Sequence, residues 1–227
     1  GGYESILHFD KPAERKLTIN FPLYNPLNSL YIGLQSSAHI GSGAEYAYKK
    51  PVLYYGSSIT QGGCACRPGN SYQAIISRRF NCGHINLGFS GSAKGEDAIV
   101  DYMSELDVSV FVCDYDHNAP TVEHLAATHE KMFKKFRMKS PELPIILVSK
   151  PGFESNPALN ILKRDVIYTT YMNAIRNGDQ NVYYIDGQHL FKDENRDCCT
   201  VDGVHPNDAG FLRMAEVIGH TVGRLLR

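Results

Sequence analysis

The sequence predicts an α/β protein, a three-layer α/β/α sandwich with a central parallel sheet of about five strands and a short N-terminal antiparallel β segment. Two observations support the sandwich. Short apolar runs typical of buried strands recur after residue 50, and stretches with helical spacing of apolar residues lie between them. Right-handed crossovers then place helices on both faces of the sheet. The runs are PVLYYG (51–56), HINLGF (84–89), SVFVCDY (109–115), PIILVSK (144–150) and NVYYID (181–186).

Two of the intervening stretches have the apolar stripe of an amphipathic helix. The first covers residues 121–138. The second is expected to begin at Pro206, because the fixed φ of proline suits the first helical position. The predicted buried faces are Leu125, Met132, Phe133 and Phe136 in the first, and Phe211, Ala215, Ile218, Val222 and Leu225 in the second.

The first fifty residues have a different pattern, which predicts a division into residues 1–49 and 50–227. KLTINFPL (16–23) alternates apolar and polar residues, and SLYIGLQ (29–35) follows the turn-rich YNPLN. We interpret residues 1–49 as an antiparallel hairpin that packs on the edge of the sandwich or is left from an upstream β-domain. The chain starts with Gly1 and not with methionine, so an excised piece of a longer protein is one interpretation.

Composition and charge narrow the possible partners and location. Hydrophobic residues make up 43% of the 227 residues and charged residues 21%, an ordinary globular balance. The formal net charge of −1 gives no electrostatic reason to expect nucleic acid or an acidic membrane as partner. No apolar run approaches the roughly 20 residues of a membrane span, and no signal peptide opens the chain. A cytoplasmic location is the default expectation, with a secreted parent as the alternative, and the oligomeric state is left open.

Polar or glycine-rich segments follow four of the five predicted strands. They contain Ser57-Ser58, Gly91, Asn118 and the pair formed by Asp202 and His205. Ligands of open parallel sheets bind at the carboxyl ends of the strands, so these segments are expected to meet. A serine, a histidine with a carboxylate three residues before it and backbone donors are the requirements for acyl transfer.

Elementary chemistry assigns roles to these residues. A serine hydroxyl becomes a good nucleophile when a base takes its proton, and His205 is the candidate base. Asp202 can hold the other ring nitrogen of His205 and so fix its tautomer. The Gly91 N–H, the Asn118 amide and the N–H of the nucleophilic serine are candidate donors to an oxyanion. The residue types alone do not decide between the two serines, and a serine here can also serve only as a turn or cap residue.

The motifs G-x-S-I-T-Q-G, N-x-G-x-S-G, an asparagine after strand three and D-G-V-H-P resemble, in this order, those of the SGNH (GDSL) hydrolase superfamily. The resemblance implies a flavodoxin-like fold, cofactor-free chemistry and Ser58 as the nucleophile, with Ser57 at the usual aspartate position. It also implies Asp202 and His205 as the catalytic pair. FPLYNPLNSLYIGL (21–34) further resembles the junction in bacterial members that carry an upstream β-rich domain.

The chain departs from the family pattern at two places. Serine replaces the common aspartate at position 57, and the usual Gly-x-Asn-Asp is here Asp116-His117-Asn118-Ala119. The second change puts charge beside the expected oxyanion site. Ser57, His117 and Arg67 are candidate residues of the substrate cleft.

The sequence predicts neither a metal site nor a disulfide framework. Asp114 and Asp116 alternate at a strand end, but no second carboxylate cluster accompanies them. The six cysteines are expected to be mostly free thiols, with a structural bridge or a metal site as alternatives. Cys64 is a weak alternative nucleophile, because no base accompanies it at a recognisable spacing.

The expected function is that of a serine esterase acting on a small-molecule ester. By resemblance, the favoured substrate carries a small acyl group such as acetyl on a carbohydrate. A thioesterase or lysophospholipase-like acylhydrolase is the alternative among enzymes. A non-catalytic module that binds carbohydrate or another partner is the alternative from a different class.

Overall fold

The structure, a computed structural model, describes residues 3–191 and 194–227. Its sheet and helices begin at residue 48. The strands are β1 (Tyr48–Gly56), β2 (Cys82–Gly88), β3 (Val110–Asp114), β4 (Ile145–Val148) and β5 (Val182–Ile185). The α-helices are α1 (Ser58–Gln61), α2 (Tyr72–Phe80), α3 (Asp97–Ser104), α4 (Val122–Lys139), α5 (Pro157–Arg176) and α6 (Asp208–Leu225).

The strands form one sheet in the order β2-β1-β3-β4-β5, and every neighbouring pair is parallel. This confirms the predicted parallel sheet, whose strand bounds differ from the predicted ones by only a few residues. Gly56 pairs with Gly88 on one side and with Asp114 on the other. Three strands therefore end at the same edge of the sheet, and the segments that follow them start side by side.

The two faces of the sheet belong to two hydrophobic cores. Successive residues of β1 point to opposite faces, so Val52 and Tyr54 join one core, and Leu53 and Tyr55 join the other. Helices α2 and α6 cover the first core, and α3, α4 and α5 cover the second. Because both faces are covered, the buried parts of the strands, such as Val52–Tyr55 of β1 and all of β4, are continuous apolar runs and do not alternate. The three-layer arrangement agrees with the prediction.

The buried faces of α4 and α6 contain every residue that the periodicity predicted. The start of α6 differs from the prediction, because the helix begins at Asp208 and not at Pro206. Asn207 is the N-cap, and its side-chain oxygen accepts the N–H groups of Ala209 and Gly210 at 3.0 and 3.1 Å. A capping side chain satisfies two donors that would otherwise lack partners, which fixes the first turn two residues later than proline alone would suggest.

The N-terminal segment, residues 3–47, contains no helix and no strand, so the expected antiparallel hairpin is not formed there. Most of its apolar side chains are exposed, and those of Leu17, Ile19 and Phe21 are at least half exposed. An isolated two-stranded hairpin is marginal without a surface that buries one of its faces. The alternating pattern in 16–23 is consistent with a strand, but the structure provides neither a pairing strand nor a covering layer for it.

The second core encloses an imidazole that the chemistry of the strand ends does not use. His129 of α4 is buried, its Nδ1 lies 2.9 Å from Thr170 Oγ1, and its ring stacks on Tyr115. Burial disfavours the charged form and lowers the pKa of His129 from 6.5 to about 4. The unfolded chain therefore binds a proton below about pH 6.5 that the folded chain refuses until about pH 4.

We expect the stability of the protein to fall as pH drops through this window, and His129→Phe to remove that part of the fall. Between about pH 7 and about pH 4.5, the wild type should lose roughly 2 kcal/mol of unfolding free energy relative to the variant. Phenylalanine keeps a ring against Tyr115, so packing changes little. Urea unfolding of both proteins at each pH measures the difference, and parallel curves would contradict a buried neutral imidazole.

Candidate active site

Ser58 is the first residue of α1, which follows β1 after a single intervening residue. This short helix lies so close to the strand ends that glycine is required beneath it. A Cβ on Gly56 would collide with Thr60 Oγ1, and a Cβ on Gly88 would collide with the backbone nitrogen of Gln61. The two glycines thus let the helix hold Ser58 directly over the carboxyl edge of the sheet.

Ser57 has a different place from its neighbour. Its side chain is fully buried, and its Oγ accepts the N–H of Ile59 at 3.2 Å, which caps α1. Ser57, expected as a cleft residue, therefore lies beneath the helix and away from solvent. Ser58 retains a small exposed fraction of 6%.

Ser58, His205 and Asp202 form one line of hydrogen bonds. Ser58 Oγ lies 2.9 Å from His205 Nε2, and His205 Nδ1 lies 2.7 Å from Asp202 Oδ2. The first contact joins residues 147 positions apart, and the second joins residues three positions apart. A serine, an imidazole and a carboxylate in this order are able to pass a proton from the hydroxyl to the ring.

The turn before α6 fixes the carboxylate of this line. Asp202 Oδ1 accepts the backbone N–H groups of Val204 and His205 at 2.9 and 2.7 Å, while Gly203 has a φ of +81°. These backbone bonds, above all that from His205, and the bond from the His205 ring lower the pKa of Asp202 to about 2. The carboxylate is therefore charged at neutral pH, and it presents its second oxygen to the imidazole.

Gly91 and Asn118 come from the segments after β2 and β3. Gly91 is exposed and has a φ of +69°, a conformation that glycine adopts without strain. Asn118 ends a short 3-10 helix, Asp116–Asn118, and its Nδ2 donates to the backbone oxygen of Phe89 at 2.8 Å. This bond ties the segment after β3 to the segment that carries Gly91.

A buried charge cluster, which the sequence did not reveal, supports the segment that carries Asn118. Lys163 of α5 donates its ammonium to the backbone oxygens of Asp116 and Ala119 at 2.9 and 2.7 Å. Asp116 itself is buried and accepts the N–H of Lys150. Desolvation raises the pKa of Asp116 to about 6, although the N–H of Lys150 and both ammonium groups oppose this rise. Nothing in the local pattern of α5 indicates that Lys163 is buried.

The other carboxyl group of this region, Asp114, is also buried. Thr60 Oγ1 donates to it at 3.2 Å, and desolvation raises its pKa well above the ordinary value. Its hydrogen bond with Thr60 connects the end of β3 to α1. Within residues 3–191 and 194–227, no three His, Cys, Asp or Glu side chains are grouped so that they could hold a metal ion.

The two remaining candidates for the substrate cleft, His117 and Arg67, differ in their burial and in the groups near them. His117 is half-buried, and burial first, then the charges of Lys150 and Lys163, lower its pKa to about 4. The electrostatic effect of His205 also lowers the pKa of His117, which indicates that His117 lies near the site. With a pKa of about 4, its ring is neutral at neutral pH. Arg67 is exposed and acts electrostatically on Asp208 at the start of α6.

All six cysteines are free thiols. Cys64 is near Asp202, and desolvation followed by that negative charge raises the pKa of its thiol. A thiol with a raised pKa carries little thiolate at neutral pH. Its surroundings thus give Cys64 no activation as a nucleophile.

No helix in residues 3–191 and 194–227 has the length and apolar character needed to cross a bilayer.

The chain is similar to solved structures whose descriptions name lipases and carbohydrate esterases. A GDSL-like lipase from Bacteroides ovatus shares 31% identity and a TM-score of 0.81, over 91% of this chain and 62% of that one. A two-domain esterase active on acetylated mannans shares 24% identity and a TM-score of 0.59, over 78% and 49%. A family two carbohydrate esterase from Clostridium thermocellum, bound to cellohexaose, shares 16% and 0.62, over 81% and 66%. The last two show the fold alone.

A comparison with curated proteins gives no match. The chain spans 62% of the length of the Bacteroides ovatus structure. The model of the GDSL-like Lipase/Acylhydrolase family matches residues 49–222, which include all of the sheet except Tyr48 and nearly all of α6. Because this match covers most of the sequence, the chain belongs to the GDSL-like lipase/acylhydrolase family, as its resemblance to the SGNH hydrolases predicted.

Proposed function

We propose that this chain is a serine esterase that removes a small acyl group, such as acetyl, from a carbohydrate through an acyl-enzyme on Ser58. The observation that carries the proposal is the continuous line from Ser58 Oγ through His205 to Asp202, with contacts of 2.9 and 2.7 Å. Membership of an acylhydrolase family agrees with this reading.

In the first half of the reaction, Ser58 Oγ attacks the carbonyl carbon of the ester while His205 Nε2 takes the hydroxyl proton. Asp202, already charged, stabilises the imidazolium that forms and keeps its Nδ1 proton in place. When the tetrahedral intermediate collapses, the bond to the alcohol oxygen breaks and His205 returns the proton to that oxygen. The alcohol leaves, and the acyl group stays on Ser58.

Three donors are available for the oxyanion of the intermediate. The N–H of Ser58 is the first of α1 and has no intrahelical partner, as at every helix start. The amide of Asn118 has two N–H groups, of which one is donated to Phe89 and the other remains. The Gly91 N–H completes the set. Losing one donor of this kind typically costs about 10²–10³ in rate.

In the second half, water attacks the carbonyl carbon of the acyl group while His205 Nε2 takes a proton from the water. When this second intermediate collapses, the bond from the acyl carbon to Ser58 Oγ breaks, His205 returns the proton to Oγ, and the free acid departs. Each step uses side chains of this chain, backbone donors and water. The reaction therefore needs no further group to balance its protons and electrons.

The preference for a small acyl group and a sugar has two supports. Gly63 lies beside Ser58 and His205, and Ser90 lies beside Tyr24; one has no side chain and the other a small polar one, so they offer little apolar surface to a long alkyl chain. Two of the structural neighbours are described as esterases of acetylated mannans and as a carbohydrate esterase bound to a cello-oligosaccharide. Both supports point toward short acyl groups on polar alcohols.

We expect the protein to release acetate from acetylated manno- and xylo-oligosaccharides. Among 4-nitrophenyl esters, we expect kcat/KM for acetate to exceed that for octanoate by at least about tenfold, since about six added methylenes would find no apolar pocket. Acetate release and 4-nitrophenol absorbance are the measurements, with Ser58→Ala as the matched control. Faster turnover of long-chain esters or of acyl thioesters would move the assignment to a lipase-like or thioesterase activity.

A further inference from the structure

One short stretch of the N-terminal segment lies against the active site. Among residues 3–47, Leu23 alone is not exposed, and its side chain packs on Gly62 after α1. Its backbone oxygen accepts the side-chain N–H of Gln61 at 3.0 Å. Asn20 packs against Gly69 in the next turn. We call residues 20–24 the seated stretch.

Gln61 links the seated stretch to the segment that carries Gly91. Its Nε2 donates to Leu23, and its Oε1 accepts the backbone N–H of Ser90 at 2.9 Å. The side chain of Gln61 belongs to α1, which also presents Ser58. Gln61 therefore fixes the position of the seated stretch relative to Ser58 and to the segment that carries Gly91.

Tyr24 is the residue of this stretch that reaches the catalytic line. Its hydroxyl lies 3.4 Å from the backbone oxygen of Ser58, and the Ser90 hydroxyl hydrogen-bonds it. Partial burial raises the pKa of the phenol, although the bond to Ser90 acts in the opposite direction. The side chain is still 48% exposed, so part of it remains accessible to a ligand from solvent.

The position of Gly63 shows on which side of the site the phenol lies. A Cβ at Gly63 would lie 2.9 Å from Tyr24 Oη and 3.6 Å from His205 Cδ2. The phenol oxygen and the edge of the imidazole therefore both lie beside Gly63, and a side chain at this position would crowd the phenol oxygen. Cδ2 is the ring carbon next to Nε2, the nitrogen that lies 2.9 Å from Ser58 Oγ.

The direction of proton transfer identifies the part of the substrate that meets Tyr24. His205 Nε2 must return a proton to the alcohol oxygen, so the alcohol part of the ester lies on the imidazole side of Ser58. The carbonyl oxygen lies on the side of Gly91 and Asn118. We infer that Tyr24 is a specificity-determining residue that contacts the alcohol part of the ester, which is a sugar if the proposed function is correct.

The chemistry of tyrosine suits this ligand. Its ring gives a rigid apolar surface for the C–H groups of a pyranose, and its hydroxyl donates to or accepts from a sugar hydroxyl. A small alcohol such as ethanol is too short to gain from either contact. Tyr24 therefore discriminates between esters that share one acyl group and differ in the alcohol.

The test compares methyl 6-O-acetylglucopyranoside with ethyl acetate, two acetate esters of primary alcohols, in wild type, Tyr24→Ala and Tyr24→Phe. We expect Tyr24→Ala to lower kcat/KM for the sugar ester by at least about tenfold, mainly through KM, and that for ethyl acetate by less than about threefold. Tyr24→Phe should lie between the two and supplies the test if the alanine variant does not fold. Tyr31→Ala, which removes a tyrosine that is 90% exposed in the same segment, is the matched control.

An equal loss on both esters would make Tyr24 a structural support, and no loss on either would remove it from the site; both results overturn the inference and leave the esterase intact. The same holds if the wild type hydrolyses ethyl acetate and ignores the sugar ester. A folded wild type that hydrolyses neither ester overturns the proposed function together with the inference. Thermal unfolding of each variant confirms that the compared proteins are folded.

Discussion

Ser58→Ala is expected to lower kcat for acetate ester hydrolysis by about 10⁴-fold or more. The substitution removes the hydroxyl oxygen that lies 2.9 Å from His205 Nε2 and that can bond to an acyl group. The proposed oxyanion donors and Asp202 stay in place, so any residual rate reports direct attack by water. Release of 4-nitrophenol from its acetate measures both proteins, and a fluorophosphonate label should modify the wild type alone.

Ser57→Ala is the matched control for this prediction, because it removes the same hydroxyl from the adjacent residue. Ser57 Oγ accepts the N–H of Ile59 and caps α1, so its loss should cost stability of about 1 kcal/mol and leave kcat within a few-fold. If Ser57→Ala abolished activity and Ser58→Ala did not, the assignment of the nucleophile would be reversed. Equal activity of both variants would point away from a serine acyl-enzyme.

Asp202→Asn is expected to reduce kcat by about 10²–10⁴-fold with little change in fold. Asp202 uses one oxygen for two backbone N–H groups and the other for His205 Nδ1. Asparagine has a single acceptor oxygen, which the two backbone donors will hold. Its NH₂ group then faces Nδ1 and favours the tautomer with the proton on Nε2, which is unable to take a proton from Ser58.

Asp208→Asn provides a matched control, since Asp208 is also a carboxylate near the start of α6 but binds Cys66 and Asn70 and not His205. We expect this variant to retain kcat within a few-fold. Steady-state kinetics on 4-nitrophenyl acetate compares the two. Full activity in Asp202→Asn would mean that the orientation of His205 does not depend on this carboxylate.

The sheet and the four segments at its edge were predictable because their signals are local. A buried parallel strand is a short apolar run, and α6 shows its stripe in sequence spacing alone. The polar residues in these segments indicated a serine and His205 as partners, and the family resemblance selected Ser58 over Ser57, although 147 positions separate Ser58 from His205. The regular sheet supplies the geometry that brings such distant residues together.

The support around the site was not predictable for the opposite reason. Lys163 bonds to a backbone oxygen 47 positions away, and Tyr24 to one 34 positions away, and neither belongs to a repeating pattern. The alternation in 16–23 indicated a strand, but pairing depends on a neighbour that the local sequence does not contain. Contacts made with irregular backbone leave no repeating pattern of residues in the sequence.

The seated stretch lies outside the residues that match the family, although it contacts the candidate active site. The family match begins at residue 49, whereas Tyr24, whose hydroxyl lies 3.4 Å from the backbone oxygen of Ser58, comes before that match in the sequence. Joining residues 49–222 to a different N-terminal segment would keep Ser58, His205 and Asp202. It would replace Tyr24, which lies beside them. If Tyr24 contacts the alcohol part of the ester as inferred above, this exchange changes the preference for the alcohol while the proposed nucleophile, base and carboxylate stay the same.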